Sequence, residues 1–149
     1  MKTDLELAKM ALNYKATDYL FGSMEGGVEG PLPAFTNFMK ALGEAGIATK
    51  QPYPHLSHPV IMKTPKIARD PEKAIWNISQ QLNTGVGGLM FVGVECAKEV
   101  QLGLAAMRLK SKGGTRPDDV GMAPSVWGLS EKEYKEKADV WGMNPNGEL

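Results

Sequence analysis

The sequence predicts an α/β fold built on a parallel sheet. Three apolar segments, at residues 18–24, 60–64 and 88–94, alternate with segments whose apolar residues recur at helical spacing. Each apolar segment carries nonpolar residues at successive positions, which is typical of parallel strands covered on both faces. The links between strands and helices are short, so we expect the three strands to lie side by side in sequence order.

The amino-acid composition limits which partners and which cellular compartment we expect for this protein. Lys plus Arg and Asp plus Glu both total 17 in the 149 residues, so we expect neither nucleic acid nor an anionic membrane as a partner. The chain opens with early acids and no apolar stretch, unlike a signal peptide. A single cysteine, Cys96, excludes an intrachain disulfide framework, and we expect it to be a buried small hydrophobe. These features predict a cytoplasmic protein.

The first part of the chain is predicted to contain two helices around one strand. Thr3 and Glu6 have the spacing of a capping box and predict a helix over residues 4–14. The segment 18–24 then predicts a strand that runs into a glycine-rich loop. Pro31 favours the start of the next helix. Its apolar stripe consists of Leu32, Phe35, Phe38, Met39 and Leu42.

Two further strand–helix pairs follow. Residues 49–59 hold three prolines and both histidines, which predicts a loop before the strand at 60–64. Asp70 followed by proline is typical of a helix start. The buried face of that helix is predicted to be Ala74, Ile75, Ile78 and Leu82. After the strand at 88–94, a helix is expected near 96–109. Its apolar side would be Val100, Leu104 and Met107.

The chain changes character beyond this last helix. Residues 110–117 are basic and glycine-rich, which predicts an exposed, flexible loop. A capping-box spacing at Ser130 predicts a short helix near 131–140. We therefore divide the chain into a barrel-like part, 1–120, and a tail, 121–149. Two tail tryptophans either contact another subunit or pack on the chain's own helices: Trp127 and Trp141.

Two charged residues at strand ends are the candidate catalytic groups. Glu25 follows the first strand within a glycine loop, where an acid can transfer protons or hold a metal-bound water. Lys63 lies at the end of an apolar strand, where a lysine needs a pocket or a carboxylate partner. A solvated acid and a structural ion pair are the alternative interpretations.

For three other candidate site residues, a structural role is the favoured interpretation. Glu95 follows the third strand and is expected to precede or cap a helix rather than bind metal. His55 and His58 are three residues apart without an acid between them, so we expect ordinary surface histidines. No metal ligand is predicted in this chain.

One block carries a family resemblance. Residues 84–108 include Val94-Glu95-Cys96-Ala97-Lys98-Glu99 and end in Ala105-Ala106-Met107-Arg108. This block resembles the 4-hydroxy-2-oxoheptanedioate aldolases and citrate-lyase β subunits. In those proteins a strand ending in Val-Glu-Ser-Ala-Glu-Glu precedes a helix ending in Ala-Ala-Met-Arg and a glycine-rich loop. Residues 18–27 and 60–65 are similar, in the same order, to two of the family's strand–loop segments.

The resemblance implies part of a (β/α)8 TIM barrel and a carbon–carbon lyase. A divalent metal, Mg or Mn, would bind a small 2-oxo acid that is cleaved to pyruvate and an aldehyde. Glu25 and Lys63 would be catalytic, with Lys63 standing where the family has a substrate-binding arginine. Gly26, Gly27 and Arg116 would contact substrate. The family also implies a homo-oligomer.

The chain departs from the family in ways that keep alternatives open. A full barrel takes about 250 residues, and only three βα units are evident, so we expect a partial barrel. Ser23 and Gly26 replace the family's Asp and catalytic His, and its metal carboxylates are not found. A second hypothesis is therefore a non-catalytic barrel fragment that acts as an interaction or assembly module. A third is a different α/β enzyme, although no glycine-rich phosphate motif is present.

Overall fold

The computed structural model describes residues 1–138. Helices and strands alternate along most of this length, as predicted. In chain order the elements are α1 (Asp4–Asn13), β1 (Leu20–Ser23), α2 (Leu32–Glu44), β2 (Ala48–Thr49), β3 (His55–Leu56), β4 (Val60–Lys63), α3 (Pro71–Asn83), β5 (Gly88–Met90), α4 (Ala97–Met107), α5 (Ala123–Val126) and α6 (Glu131–Lys137). Two 3-10 turns lie at Ile67–Arg69 and Lys110–Lys112.

The main sheet has three parallel strands in the order β1-β4-β5. Leu20 pairs with Val60 at one end of β1, and Ser23 pairs with Lys63 at the other. On the opposite side of β4, Lys63 pairs with Met90 of β5. The predicted α/β class and the side-by-side, parallel arrangement of the three strands are confirmed.

Only one face of this sheet is well buried. Val60 and Met62 of β4 are buried, whereas Phe21 is 51% exposed and Met90 is 43% exposed. Successive residues of a strand point to opposite faces, so Phe21, Ile61 and the Gly88 position share the second face. The expectation that strands are covered on both faces is therefore wrong for the described residues.

The predicted helix starts are confirmed. The Thr3 and Glu6 side chains form both bonds of a capping box at α1, and Ser130 and Glu133 do so at α6. The Asp70 side chain accepts from the amide of Lys73 at the start of α3. No helix within residues 1–138 combines the length and apolar character needed to cross a membrane.

Helix α4 buries a side that only partly matches the predicted one, in which Met107 packs against the core. Its buried residues are Glu99, Gly103 and Ala106, whereas Val100 is exposed. A Cβ atom at Gly103 would lie 2.5 Å from the Phe91 ring, so the bare glycine backbone allows this close contact. The most buried side of α4 thus includes two small residues, Gly103 and Ala106, and Leu102 and Met107 pack against the core beside them.

Two predicted loops are more ordered than expected. Within 49–59, β3 pairs antiparallel with β2, so a small two-stranded sheet replaces part of the loop. In the loop at 110–117, Leu109 and Arg116 form an isolated parallel bridge. Gly113 adopts a left-handed conformation with φ of 85°, which lets this loop turn back.

The described tail residues belong to the chain's own core. Trp127 is buried, and its indole Nε1 donates to the Gly85 carbonyl at 3.1 Å. Of the two alternatives for this residue, packing on its own chain is the one observed. Trp141 and the end of the predicted 131–140 helix lie outside the described residues.

Candidate functional site

The carboxyl ends of β1 and β4 bring the two candidate catalytic residues together. Ser23 and Lys63 are register partners at the ends of these strands, and Glu25 follows two residues after Ser23. The Lys63 Nζ lies 3.4 Å from Glu25 Oε2. The amide of Glu25 also donates to Ser23 Oγ at 3.3 Å. This edge is where parallel-sheet proteins carry their sites.

The Glu25–Lys63 pair is open to solvent. The side chain of Glu25 is 53% exposed and that of Lys63 is 32% exposed. An ion pair this exposed contributes little to stability because water screens it and both side chains lose freedom. The pair can therefore separate at small cost when a polar ligand offers either partner a replacement contact.

A cavity of about 780 Å³ opens beside Glu25. That volume lies in the range of small-molecule sites. One wall is the β1–α2 loop, residues 23–31, and includes Glu25, Gly26 and Gly27. The other wall comes from the β4–α3 connection and from α3. It consists of Pro65, Lys66, Arg69, Asp70, Lys73 and Asn77. Lys63 is not in this wall and meets it through its contact with Glu25.

Charged side chains join and line the two walls. Lys73 Nζ lies 3.0 Å from Glu29 Oε1, which links α3 to the β1–α2 loop. The Arg69 side chain has no acidic partner among residues 1–138. A cation without an acidic partner in the wall of a cavity is suited to an anionic ligand.

The glycines of the loop leave space in the cavity wall. A Cβ atom at Gly26 or at Gly27 would meet nothing within 4 Å. Gly27 has φ of 149°, a conformation that L-residues rarely adopt, whereas Gly26 has no such restriction. Position 26 can therefore accept a side chain.

Arg116 does not join this site. It is only 1% exposed, and its Nη2 donates to Asn83 Oδ1 at 2.8 Å. Asn83 is the last residue of α3. The chain leads from there into the start of β5, whereas the candidate site lies at the carboxyl ends of the strands. The prediction of an exposed loop at 110–117 is wrong for Arg116, because the Leu109–Arg116 bridge folds this residue inward.

The remaining candidates have structural partners. Glu95 pairs with Lys66, and this hydrogen bond lowers the pKa of Glu95 and raises the pKa of Lys66. The ring nitrogens of the two histidines meet backbone carbonyls, His55 at Tyr53 and His58 at Tyr14.

Cys96 is exposed rather than buried, which corrects the sequence prediction. It is the N-cap of α4, and its thiol lies 3.7 Å from Glu99 Oε1. The helix begins at the surface and turns its buried side inward only from Glu99 onwards.

The described residues do not fit the metal centre that the family resemblance implies. Among residues 1–138, no group of three or more His, Cys, Asp or Glu side chains is placed to hold an ion. Glu25, the acid nearest the strand ends, already faces the Lys63 ammonium. Hard divalent cations prefer several oxygen ligands, so this donor set is insufficient by itself.

Sequence reasoning missed most of the second cavity wall. Arg69, Lys73 and Asn77 succeed one another at four-residue intervals and line the same cavity. The four-residue spacing of Lys73 and Asn77 within α3 could have indicated a polar helix face, whereas Arg69 lies in the 3-10 turn before the helix. Comparison with family models, with curated proteins and with solved structures finds no match to this chain.

Proposed function

We propose that the chain contributes the site of a carbon–carbon lyase that cleaves 4-hydroxy-2-oxo acids to pyruvate and an aldehyde. The observation that carries this proposal is the Glu25–Lys63 contact at the carboxyl ends of adjacent parallel strands, beside a cavity. The resemblance of residues 84–108 to the aldolase family supports it. In the same proposal the three βα units form part of a TIM barrel. The single cysteine of the sequence favours the cytoplasm.

The two side chains can divide the work of a retro-aldol cleavage. The Glu25 carboxylate takes the proton of the substrate's C4 hydroxyl as the C3–C4 bond breaks. The bond's electrons form the enolate of pyruvate, and the aldehyde departs. The Lys63 ammonium stabilises the enolate oxygen. The Glu25 carboxyl then returns its proton to C3, which yields pyruvate and restores the Glu25 carboxylate. The Arg69 guanidinium, which lines the cavity, can hold a carboxylate of the substrate.

A pyruvate-release assay tests this function. The purified chain is given 4-hydroxy-2-oxo acids with Mg²⁺, with Mn²⁺ and with chelator, and pyruvate is measured by coupled NADH oxidation. Lys63→Met keeps the length of the side chain but removes its charge, and should lower turnover by about 10²-fold. Glu25→Gln should lower it by about 10²-fold or more.

Lys98→Met is the matched control. Lys98 is exposed on α4 and makes no ion pair within the described part of the chain, so its loss should leave turnover unchanged. Absence of pyruvate release under all three metal conditions contradicts the lyase proposal. Full turnover in Lys63→Met contradicts the role of that lysine.

A second candidate function is an assembly module without catalysis, and the exposed sheet face favours it. Tyr19, Phe21 and Met90 are large apolar side chains exposed at or beside the edge strands β1 and β5. Unpaired strand edges and contiguous apolar surface promote association. The occupant we propose is a second copy of this chain.

Sedimentation analysis tests this candidate, and the pyruvate-release assay separates it from the first, because a lyase can also be a homo-oligomer. The chain should associate at micromolar concentration, and Phe21→Ser with Met90→Ser should shift it towards monomer. Met10→Ser on α1 is the control, because Met10 is also exposed but lies away from the sheet. A wild-type chain that stays a folded monomer counts against the assembly module.

A further inference from the structure

A buried glutamine lies directly behind the proposed site. Gln81, on α3, is completely buried, and a buried amide is costly unless it forms hydrogen bonds. Its Nε2 donates to the carbonyl oxygen of Lys63 at 2.9 Å. Its Oε1 has no partner within residues 1–138. The fold therefore retains this polar group for one hydrogen bond, to the backbone of the proposed catalytic lysine.

The same carbonyl receives a second donor. The amide of Met24 donates to Lys63 O at 3.1 Å. A carbonyl oxygen has two lone pairs and can accept both bonds. One oxygen atom thus joins the end of β4, the extension of β1 that leads into Glu25, and helix α3.

The ion pair cannot keep this arrangement by itself. Both Glu25 and Lys63 are substantially exposed, and exposed ion pairs hold their partners weakly. The relative placement of the two side chains must come from the backbone beneath them. The buried junction at Lys63 O extends the β1–β4 ladder beyond its last pair, Ser23 and Lys63, and ties that end of the ladder to α3.

We propose that Gln81 is a positioning residue that holds the ends of β1 and β4 so that Glu25 and Lys63 meet. The catalytic consequence of this proposal rests on the lyase function above, whereas the geometric claim does not. Loss of the Gln81 donor leaves Lys63 O with Met24 alone, and the two strand ends can then shift relative to each other.

Two substitutions isolate the hydrogen bond. Gln81→Met keeps the length of the side chain and removes the donor. Gln80→Met makes the same chemical change at the neighbouring, half-buried position, whose side chain makes no hydrogen bond to the rest of residues 1–138. Gln81→Glu is the conservative variant, because burial favours its protonated form and that carboxyl can donate to Lys63 O.

The first measurement needs no activity. Glu25→Gln should change the NMR resonance of Lys63 Cε in the wild-type and Gln80→Met backgrounds, because the pair is in contact. In Gln81→Met this response should fall to less than half, and in Gln81→Glu it should return. A full response in folded Gln81→Met overturns the proposal. If Gln81→Met does not fold, absence of the response in Gln81→Glu overturns it.

The second measurement is a double-mutant cycle on turnover. Gln81→Met should lower kcat by about tenfold in the wild type and should add nothing to Lys63→Met, because the Glu25–Lys63 contact that Gln81 positions is already lost there. If the kcat losses of the two single variants multiply in the double variant, the result contradicts a positioning role. Absence of wild-type turnover refutes the lyase function, and the NMR response alone then decides the claim about Gln81.

Discussion

The indole Nε1 of Trp127 donates a hydrogen bond to the carbonyl oxygen of Gly85, 42 positions earlier in the chain. Both residues are buried. Gly85 follows the end of α3 and leads into β5, so this bond fixes the segment containing α5 against the start of a sheet strand. The described part of the tail therefore supports the same sheet that carries the candidate site.

Trp127→Phe should destabilise the chain by about 1–3 kcal/mol. Phenylalanine keeps most of the packing but leaves the buried Gly85 carbonyl without this donor. The measurement is urea unfolding followed by far-UV circular dichroism. Trp76→Phe is the control, because Trp76 is 40% exposed on α3, and its cost should stay within about 0.5 kcal/mol. Equal costs at the two positions would show that the buried bond is unimportant.

Gly85→Ala should cost more than the same change at another left-handed glycine. Gly85 has φ of 95°, and a Cβ there would lie 2.7 Å from Val126 Cβ. Gly46 has φ of 90°, but a Cβ there meets nothing within 4 Å. Both variants bear the backbone cost of roughly 1–2 kcal/mol, and only Gly85→Ala adds overpacking of about 1–3 kcal/mol. Thermal unfolding of the two variants measures the difference, and similar stabilities would contradict the close contact with Val126.

The arrangement of the sheet could be predicted from sequence because it depends on local patterns. Apolar segments, helix caps and short links determine which elements form and which strands are neighbours. The meeting of Glu25 and Lys63 follows from the same reasoning, since parallel strands end at one edge. These residues are close to strand ends, so small errors in strand bounds did not matter.

Other features depend on long-range packing that no local pattern records. Arg116 is buried because its loop folds against Asn83, 33 positions away. Nothing in the local sequence distinguishes Gln81 from a surface glutamine, yet its side chain donates to the carbonyl oxygen of Lys63. The exposure of Cys96 depends on where α4 meets the surface. Predicting these positions requires the packing of helices on the sheet.

Lys66→Met should raise the pKa of Glu95 towards its ordinary value of 4.5. The hydrogen bond from Lys66 is the main cause of the lowered pKa of Glu95, followed by the attraction of the same charge. An NMR titration of the Glu95 side-chain carboxyl measures the change, with Lys98→Met as the control. An unchanged pKa of Glu95 in Lys66→Met would contradict the ion pair.

The same pair predicts how stability depends on pH. Because the pKa of Glu95 is lowered, its contribution is present above pH 4.5 and is lost as the pH falls through the lowered pKa. Because the pKa of Lys66 is raised, its contribution is present below pH 10.5 and is lost as the pH rises through the raised pKa. The difference in free energy of unfolding between wild type and Lys66→Met should therefore be small at every pH. It should reach its maximum between pH 4.5 and pH 10.5. A difference that grows in acid would contradict this linkage.

Gly26→His should increase pyruvate release if the site is a lyase. Gly26 stands where the family resemblance places a catalytic histidine, and a Cβ there enters open space in the cavity wall. An imidazole beside Glu25 can accept the proton of the substrate hydroxyl near neutral pH, and such catalysis typically contributes about 10²–10⁴-fold. Gly30→His is the matched control, since Gly30 lines the same cavity and is equally unobstructed but lies five residues from Glu25. We expect at least a tenfold gain for Gly26→His and none for Gly30→His. Equal rates in the two folded variants would show that position 26 has no special relation to the reacting atoms.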